Sequence, residues 1–591
     1  MGTFVADFET TTNPDDCRVW AYAICEVGNT DNIIVGTTID DFFKWCRESK
    51  ENHKVFFHNL KFDGQFLMQY LFHNGFEHTT DKKNRKSNTF NTLISDKGMY
   101  YQIEVIFYKK GKNINKVVFQ DSLKLIPLSV DAIAKSFKME ISKLSIDYDA
   151  HNNKPIGSPL TKEEEEYIKC DVKIVANAID YFYSQGLTKM TIGSCALEEY
   201  KKSITKRAFK RYYPPPKFHD DVKQSYKGGF TYLNPKFASK EIGKGVVFDV
   251  NSLYPSVMYG CEGEILPFGT PIFFKGEYKP DPVYPIYTQM FSCQFQLKKG
   301  KIPTIQIKSG FSFKGNEYLI NSGDSEVTLC LNSVDLELFR EQYEVYNFQA
   351  ISGWKFKASK GNGLFGKYID KWSNNKIQAK KEGNHGLYLI SKLFLNSLYG
   401  KFGTDNKVKS KIPYLDEDDV IRFTTSEEEE KDGVYIAMAS FITSYARLKT
   451  ITSAQRIMDN FNNGKSKAQF VYADTDSLHI YLNSEDEETF IKNCGLKIDD
   501  TELGAWKFES KFNKAKFLRQ KCYIENSTED IKNPDPDYEL KITVAGMPKG
   551  CYDYVNFDNF KIGASYRGKM QPKNVKGGVI LANIDFTIKE C

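Results

Sequence analysis

The chain has 591 residues, 41% of them hydrophobic and 27% charged, a balance that excludes wholesale disorder and a fibrous repeat. Single hydrophobic cores stop growing near ~250 to 300 residues, so several domains are expected. The net charge of +5 is what remains of 81 basic and 76 acidic residues, so charge alone does not argue for a polyanionic partner and any basic surface must be local.

Twelve cysteines run from Cys17 to Cys591 with no C-x-x-C spacing, which points to reduced thiols rather than a zinc site or a disulfide framework. The start "MGTFVADFET" meets two acids almost at once and shows no signal-peptide pattern. No apolar run approaches the ~20 residues of a membrane span. A cytoplasmic protein without a membrane partner is expected.

The first predicted strand, in "TFVADFETTT", places Asp7 and Glu9 two apart and so on one face. "FHNLKFDG" sets Asn59 and Asp63 four apart at the head of a helical pattern, "KVVFQDSL" reads as a strand, and "EEEEYIKCDVKIVANAIDYFY" as a helix with Tyr167 and Asp171 four apart. A strand pair with two helical acids is what a two-metal nuclease needs, although each piece alone is equally an ordinary polar pair. This α/β unit ends near residue 188. The three prolines of "RYYPPPKFHDD" mark a connector, because proline continues neither a helix nor a central strand.

In "KGVVFDVNSLYPSVMYG" an apolar strand ends at Asp249, with Tyr254 and Pro255 in the turn that follows. A strand-rich, Pro- and Gly-rich stretch runs from about 261 to 360. "NKIQAKKEGNHGLYLISKLFLNSLYGKF" reads as one helical segment on which Lys392, Asn396 and Tyr399 share a stripe, with Gly400 as a C-cap. Residues 404 to 432 are polar, and the glutamate quartets at 163 to 166 and 427 to 430 read as solvated faces. "GVYIAMASFITSYARLKTITSAQRIMDNF" is a long helix. After it, "FVYADTDSLHI" puts Asp474 and Asp476 on one face at a hairpin tip, where an Asx-type turn is the plain alternative.

If the strands ending at Asp249 and Asp474 are neighbours, three carboxylates converge and repel one another unless cations sit among them. Two divalent ions about 4 Å apart are the usual arrangement for in-line phosphoryl displacement. All-oxygen ligation favours magnesium or manganese over zinc.

"DVNSLYPS", "KLFLNSLYG" and "YADTDS", in this order, resemble motifs A, B and C of family B DNA polymerases, and most of all the protein-primed subgroup from phages of the phi-twenty-nine type. The likeness extends to "SYKGGFTYLN", "FLRQKCYIEN" and the tail "DFTIKEC". It implies an α/β and α+β multidomain fold, with an RNase H-like 3′-5′ exonuclease domain (1–188) and a right-hand polymerase. The polymerase divides into a first palm part (189–260), fingers (359–403), a second palm part (433–540) and a thumb (541–591), with two subgroup-specific insertions (261–358 and 404–432).

On that match Asp249, Asp476 and the Val250 carbonyl hold two metals, with Asp474 supporting them. Lys392, Lys380 and Asn396 meet the incoming nucleotide, and Tyr254 excludes a 2′-hydroxyl. Tyr226, Gly228 and Gly229 of "YKGG", with Ser252, Tyr399, Gly400, Lys521 and Tyr523, contact DNA. In the nuclease, Asp7, Glu9, Asp63 and Asp171 hold two metals and Tyr167 orients the attacking water. Thr10, Asn59, Phe62, Ser122 and Leu123 hold the frayed primer end, and Lys143 stabilises the scissile phosphate. One departure is Tyr388, where relatives commonly carry lysine.

The implied function is a DNA-directed DNA polymerase with proofreading that replicates a phage genome from a protein primer, processively and with strand displacement. Expected partners of a monomeric chain are primer-template DNA, deoxynucleoside triphosphates and a terminal protein. Its expected place is the cytoplasm of an infected bacterial host. The alternatives are a polymerase that starts only from nucleic-acid primers, or a catalytically silent DNA-binding protein of the same fold.

Overall fold

The computed structural model describes residues 2–49, 51–81, 85–139, 144, 146–147, 149–214, 218–306, 318–431, 435–533 and 536–590. Near the centre of the first sheet lies the strand Gly2–Thr10, antiparallel to Val19–Glu26 and parallel to His53–Phe57, which in turn lies parallel to Asn113–Asp121. Alternate residues of Gly2–Thr10 enter opposite cores. Val5 packs under the helix Lys162–Ser184, while Ala6 and Phe8 pack under Leu60–His73. Covered on both faces, the strand is apolar except where it meets its acids.

Helix Lys162–Ser184 opens with a capping box in which the Thr161 hydroxyl accepts from the Glu164 N–H and the Glu164 carboxylate accepts from the Thr161 N–H. Glu164 is therefore buried rather than solvated, and it also bonds His151 at 2.8 Å. The quartet at 427 to 430 is exposed as expected.

The second sheet runs in the order Glu539–Val544, Cys522–Thr528, Trp506–Arg519, Gly245–Val250, Ser477–Tyr481, Gln469–Asp474, Thr231–Leu233. It curls until Tyr472 and Tyr523, with three strands between them in that order, bring their ring centroids within 5.2 Å. Val247, Val471, Phe512 and Phe517 fill the concavity with them. Helix Ile436–Asn462 packs on this palm, where the Thr450 hydroxyl donates to Thr475 O and the Trp506 indole N–H donates to Ser453 Oγ.

The expected boundary at 541 falls inside the palm strand Glu539–Val544, and the one at 358 falls inside the insertion strand Tyr343–Lys360. The described residues of that insertion form a four-stranded antiparallel sheet and the helix Ser333–Gln342. Where one helical segment was expected, the fingers are two helices, Gly361–Glu382 and His385–Phe402, broken at Gly383, which takes φ 69°. Gly400 lies within the second helix, and Gly403 is its cap residue. Residues 404 to 431 form two antiparallel pairs, Lys407–Val408 with Glu429–Glu430 and Lys411–Leu415 with Ile421–Thr425. The thumb carries a long hairpin, Ser565–Val575 with Gly578–Thr587. Among the described residues no helix is long and apolar enough to cross a membrane.

Candidate active sites

Asp249, next to last in the strand Gly245–Val250, lies opposite Ser477, where the second hairpin strand begins. Gly245–Val250 thus neighbours Ser477–Tyr481, while the strand ending at Asp474 lies one further across the sheet. The two hairpin aspartates, however, do not share a strand face, because Thr475 takes φ 59° and breaks the alternation. Three bonds fix this turn: Thr475 N–H donates to Phe230 O (2.6 Å), the Thr450 hydroxyl donates to Thr475 O (2.7 Å), and Val250 N–H donates to Asp476 O (2.8 Å).

The carboxylate of Asp474 is spent on its own shell. It accepts from the hydroxyls of Tyr472 (3.1 Å) and Thr231 (3.2 Å) and pairs with Lys521 Nζ at 3.2 Å. Burial and the facing Asp476 and Glu509 push the Asp249 carboxyl up to about 7. Asp476 is also raised, by burial first and then by Asp474 and Glu509. Glu509, missed by the sequence reading, is the extra residue of a bulge. Val247 pairs with Ser510 and Phe248 with Phe508, which leaves Glu509 unpaired between them. Three acids therefore press on one another at the head of the palm.

Lys507 lies opposite Asp249 in the sheet, and lysines of the fingers gather near it. Lys392, Asn396 and Gly400 form an exposed stripe on His385–Phe402. Lys376, also missed, is held below its usual value by burial and by the nearby charges of Lys392, Lys380 and Lys507. Lys380 belongs to the same group but is exposed. Tyr254 stacks on Tyr399 with centroids 4.0 Å apart and planes at 22°. Ser252, in the left-handed region at φ 56°, turns the chain into the short helix that carries Tyr254.

Gly229 lies against the Asp474–Ser477 turn, and a Cβ there would come within 2.7 Å of Thr475 Oγ1; Gly228 faces open space. The carbonyls of Lys227 and Gly228 both accept from Arg447 at 2.7 Å, and Arg447 is itself paired with Asp335 of the first insertion. Tyr226 crosses towards the fingers, its hydroxyl 2.6 Å from where a Gly403 Cβ would stand. Lys521 is exposed, and Tyr523 is buried beside it.

In the first domain, Asp7 and Glu9 lie on Gly2–Thr10, Asp63 on Leu60–His73, and Tyr167 and Asp171 on Lys162–Ser184. The Asp63 carboxyl is raised well above its usual value by burial, then by Asp7 and by Asp121. Asp121, a third residue the sequence reading passed over, accepts from the backbone N–H groups of Asn59 (3.1 Å) and Leu123 (3.0 Å). It thereby holds Asn59 at φ 83°, exposed at the head of its helix.

Ser122 is fully buried, with its hydroxyl donating to Phe57 O (3.1 Å) and lying 2.9 Å from His58 Nδ1. Thr10, Phe62 and Leu123 are partly exposed around the acids. Lys143 lies outside the described residues. Among the described residues no three His, Cys, Asp or Glu side chains form a ready-made metal cage. The raised acids still fit a divalent cation, which would relieve the repulsion between oxygen-only donors.

A curled sheet with acids at a hairpin tip, facing a lysine-bearing helical pair, and a second acid-lined sheet on the same chain together define a nucleotidyl-transfer enzyme that carries a nuclease domain. The family model for DNA polymerase type B, organellar and viral, matches residues 46–158 and 151–493. The DNA polymerases of Bacillus phages B103 and phi29 are 44% and 43% identical, each over 99% of both chains. A solved structure of phi29 DNA polymerase with primer-template DNA and incoming nucleotide substrates superposes with a TM-score of 0.90 at 42% identity, covering 100% of both chains. The chain belongs to the organellar and viral type B DNA polymerases, and within them to the phi29-type phage DNA polymerases.

Proposed function

We propose that the chain extends a primer at the palm and trims mismatched ends in the first domain, replicating a phage genome that starts from a protein primer. The observation that carries the palm reading is the confrontation of Asp249, Asp476 and Glu509 beside the hairpin turn, with Lys507 opposite Asp249 in the sheet and Lys376, itself close to Lys392, near Lys507. Asp249 and Asp476, with the Val250 carbonyl, would hold two divalent ions, magnesium or manganese. When bound, these supply charge neutralisation at the transferred phosphoryl group and a lower pKa for the primer 3′-hydroxyl. Asp474 keeps Lys521 and the turn in register. Lys376 and Lys392 receive the triphosphate as point charges. Tyr254, braced by Tyr399, leaves no room for a 2′-hydroxyl.

In the first domain Asp7, Glu9, Asp63 and Asp171 would hold a second ion pair, and Tyr167 orients water towards the last phosphodiester. Asn59, Thr10, Phe62 and Leu123 grip the unpaired end. Lys521 and Tyr523 hold the paired primer end at the palm, and Tyr226, Gly228 and Gly229 carry the template strand between the centres through backbone N–H groups. The insertion 261–358 would face a terminal protein, and 404–432 would close round the template to give processivity and strand displacement. The working form is a monomer in the cytoplasm of an infected bacterium.

The test is an end-labelled primer on a longer template, with magnesium, sampled with and without the four deoxynucleotides. Extension with nucleotides and stepwise 3′ shortening without them are expected. Binding with neither change sinks the reading at both centres. Covalent attachment of a deoxynucleotide to an added terminal protein tests the priming step.

A further inference from the structure

Beneath the palm hairpin lies a buried pair that the chemistry above does not use. His479 on Ser477–Tyr481 and Glu525 on Cys522–Thr528 are 3% and 0% exposed, with Nδ1 and Oε1 2.7 Å apart. Two strands, Gly245–Val250 and Trp506–Arg519, separate them in the sheet, so the contact crosses the concave aromatic core. The other oxygen of Glu525 finds no partner among the described residues.

The His479 ring packs edge-on or tilted against Tyr523 (5.1 Å), Tyr472 (5.3 Å) and Phe517 (5.6 Å). Each tyrosine leads to the palm centre. The Tyr472 hydroxyl donates to Asp474 and accepts from the Lys521 N–H at 2.9 Å. Tyr523 lies two residues before Glu525, on the same strand face. A buried carboxylate and imidazole cost more than an apolar pair of the same shape, so a packing role alone does not explain them.

We propose that Glu525 is a positioning residue for the primer terminus. By fixing the imidazole of His479 against both rings it holds Tyr472 and Tyr523 in their mutual contact, so that Asp474, Lys521 and Tyr523 present one surface to the 3′ end. The inference rests on the reading of Lys521 and Tyr523 as primer-terminus ligands. Because the palm and the nuclease compete for the same end, a loosened grip at the palm favours degradation. The deoxynucleotide concentration at which extension balances shortening must then rise, with the chemistry at each centre intact.

Glu525→Leu removes the acceptor at similar volume. The balance concentration on primer-template DNA is expected to rise roughly tenfold, as for residues that orient a functional group through another, while shortening of a single strand keeps its rate. Glu525→Gln still accepts from the imidazole N–H and is expected to stay near the parent. The double variant H479F/E525L leaves no buried charge unpaired and guards against a folding failure; its balance is expected to remain shifted.

A balance equal to the parent in folded E525L and in the double variant overturns the proposal, as does a parallel loss of single-strand shortening. K521A checks the underlying reading. An unmoved balance in K521A removes the primer-terminus role itself, whereas a shift in K521A with none in E525L removes only the role of Glu525.

Discussion

At Asp249, burial and the facing Asp476 and Glu509 push the carboxyl up to about 7, against an unfolded value of about 4. The native state therefore binds this proton more tightly than the unfolded chain, so the metal-free protein loses stability as pH rises from about 4 through 7. Above that range the cost is complete. Asp249→Asn should stabilise the fold at pH 8 in the presence of a chelator, by on the order of 1 kcal/mol and visible as a higher melting temperature, and should lose the gain at pH 4. Extension should vanish in the same variant while single-strand shortening persists. An equal melting temperature at pH 8 would show that the acids do not strain one another. Tyr254→Val should admit ribonucleotides in single-nucleotide insertion, since the ring stacked on Tyr399 is the side chain that would fill the space beside the sugar; unchanged discrimination would rule the ring out.

At the scale of elements, legibility followed how local the geometry is. Thr475 at φ 59° turns Asp476 off the face that alternation assigns to it, and the strand of Asp249 joins that turn from far along the chain, but Asp7 with Glu9 was readable because strand alternation is set within a few positions. Glu509 was not, because its direction comes from a bulge against a strand some 260 residues earlier in the chain. Lys376 was hidden for a similar reason. Only the break at Gly383 folds Gly361–Glu382 back on His385–Phe402 and brings it to Lys392. The hairpin within 404–432 looked like a polar stretch, yet Ile421 enters the nuclease core and Leu415 and Phe423 pack against it. The hairpin is also tied by Gln69 to Asp419 O (2.9 Å) and by Asn574 to Ile421 O (3.1 Å). Replacing 409–427 with a short glycine-serine connector should shorten the product made per binding event and stall extension at a downstream strand. Single-nucleotide insertion should survive. Unaltered product length and displacement would leave this hairpin a structural brace only.

For the whole molecule, these contacts close a circuit. The palm continues into the thumb through the core of Leu518, Ile524 and Val544, and the tip of the thumb hairpin returns to the first domain, where Val579 and Ile580 join Phe8, Cys17 and Phe66. The exposed Lys576–Asp419 pair at 2.9 Å is screened by solvent and adds little. Each fully buried apolar side chain contributes about 1.5–3 kcal/mol, so the seating of Val579 and Ile580 dominates. The fit is set by backbone, because a Cβ on Gly577 would stand 2.1 Å from the carbonyl oxygen of Cys17, in a conformation with φ +90°. Gly577→Ala should therefore lift the tip without touching either acid cluster. With a trap that captures released enzyme, products should become shorter and more sensitive to salt, as expected when retention on DNA falls back on phosphate contacts. Single-nucleotide insertion and single-strand shortening need no closed circuit and should keep their rates. Full-length products from Gly577→Ala under the trap would mean that the seated tip does not retain DNA, and that the hairpin at 411–425 closes the path alone.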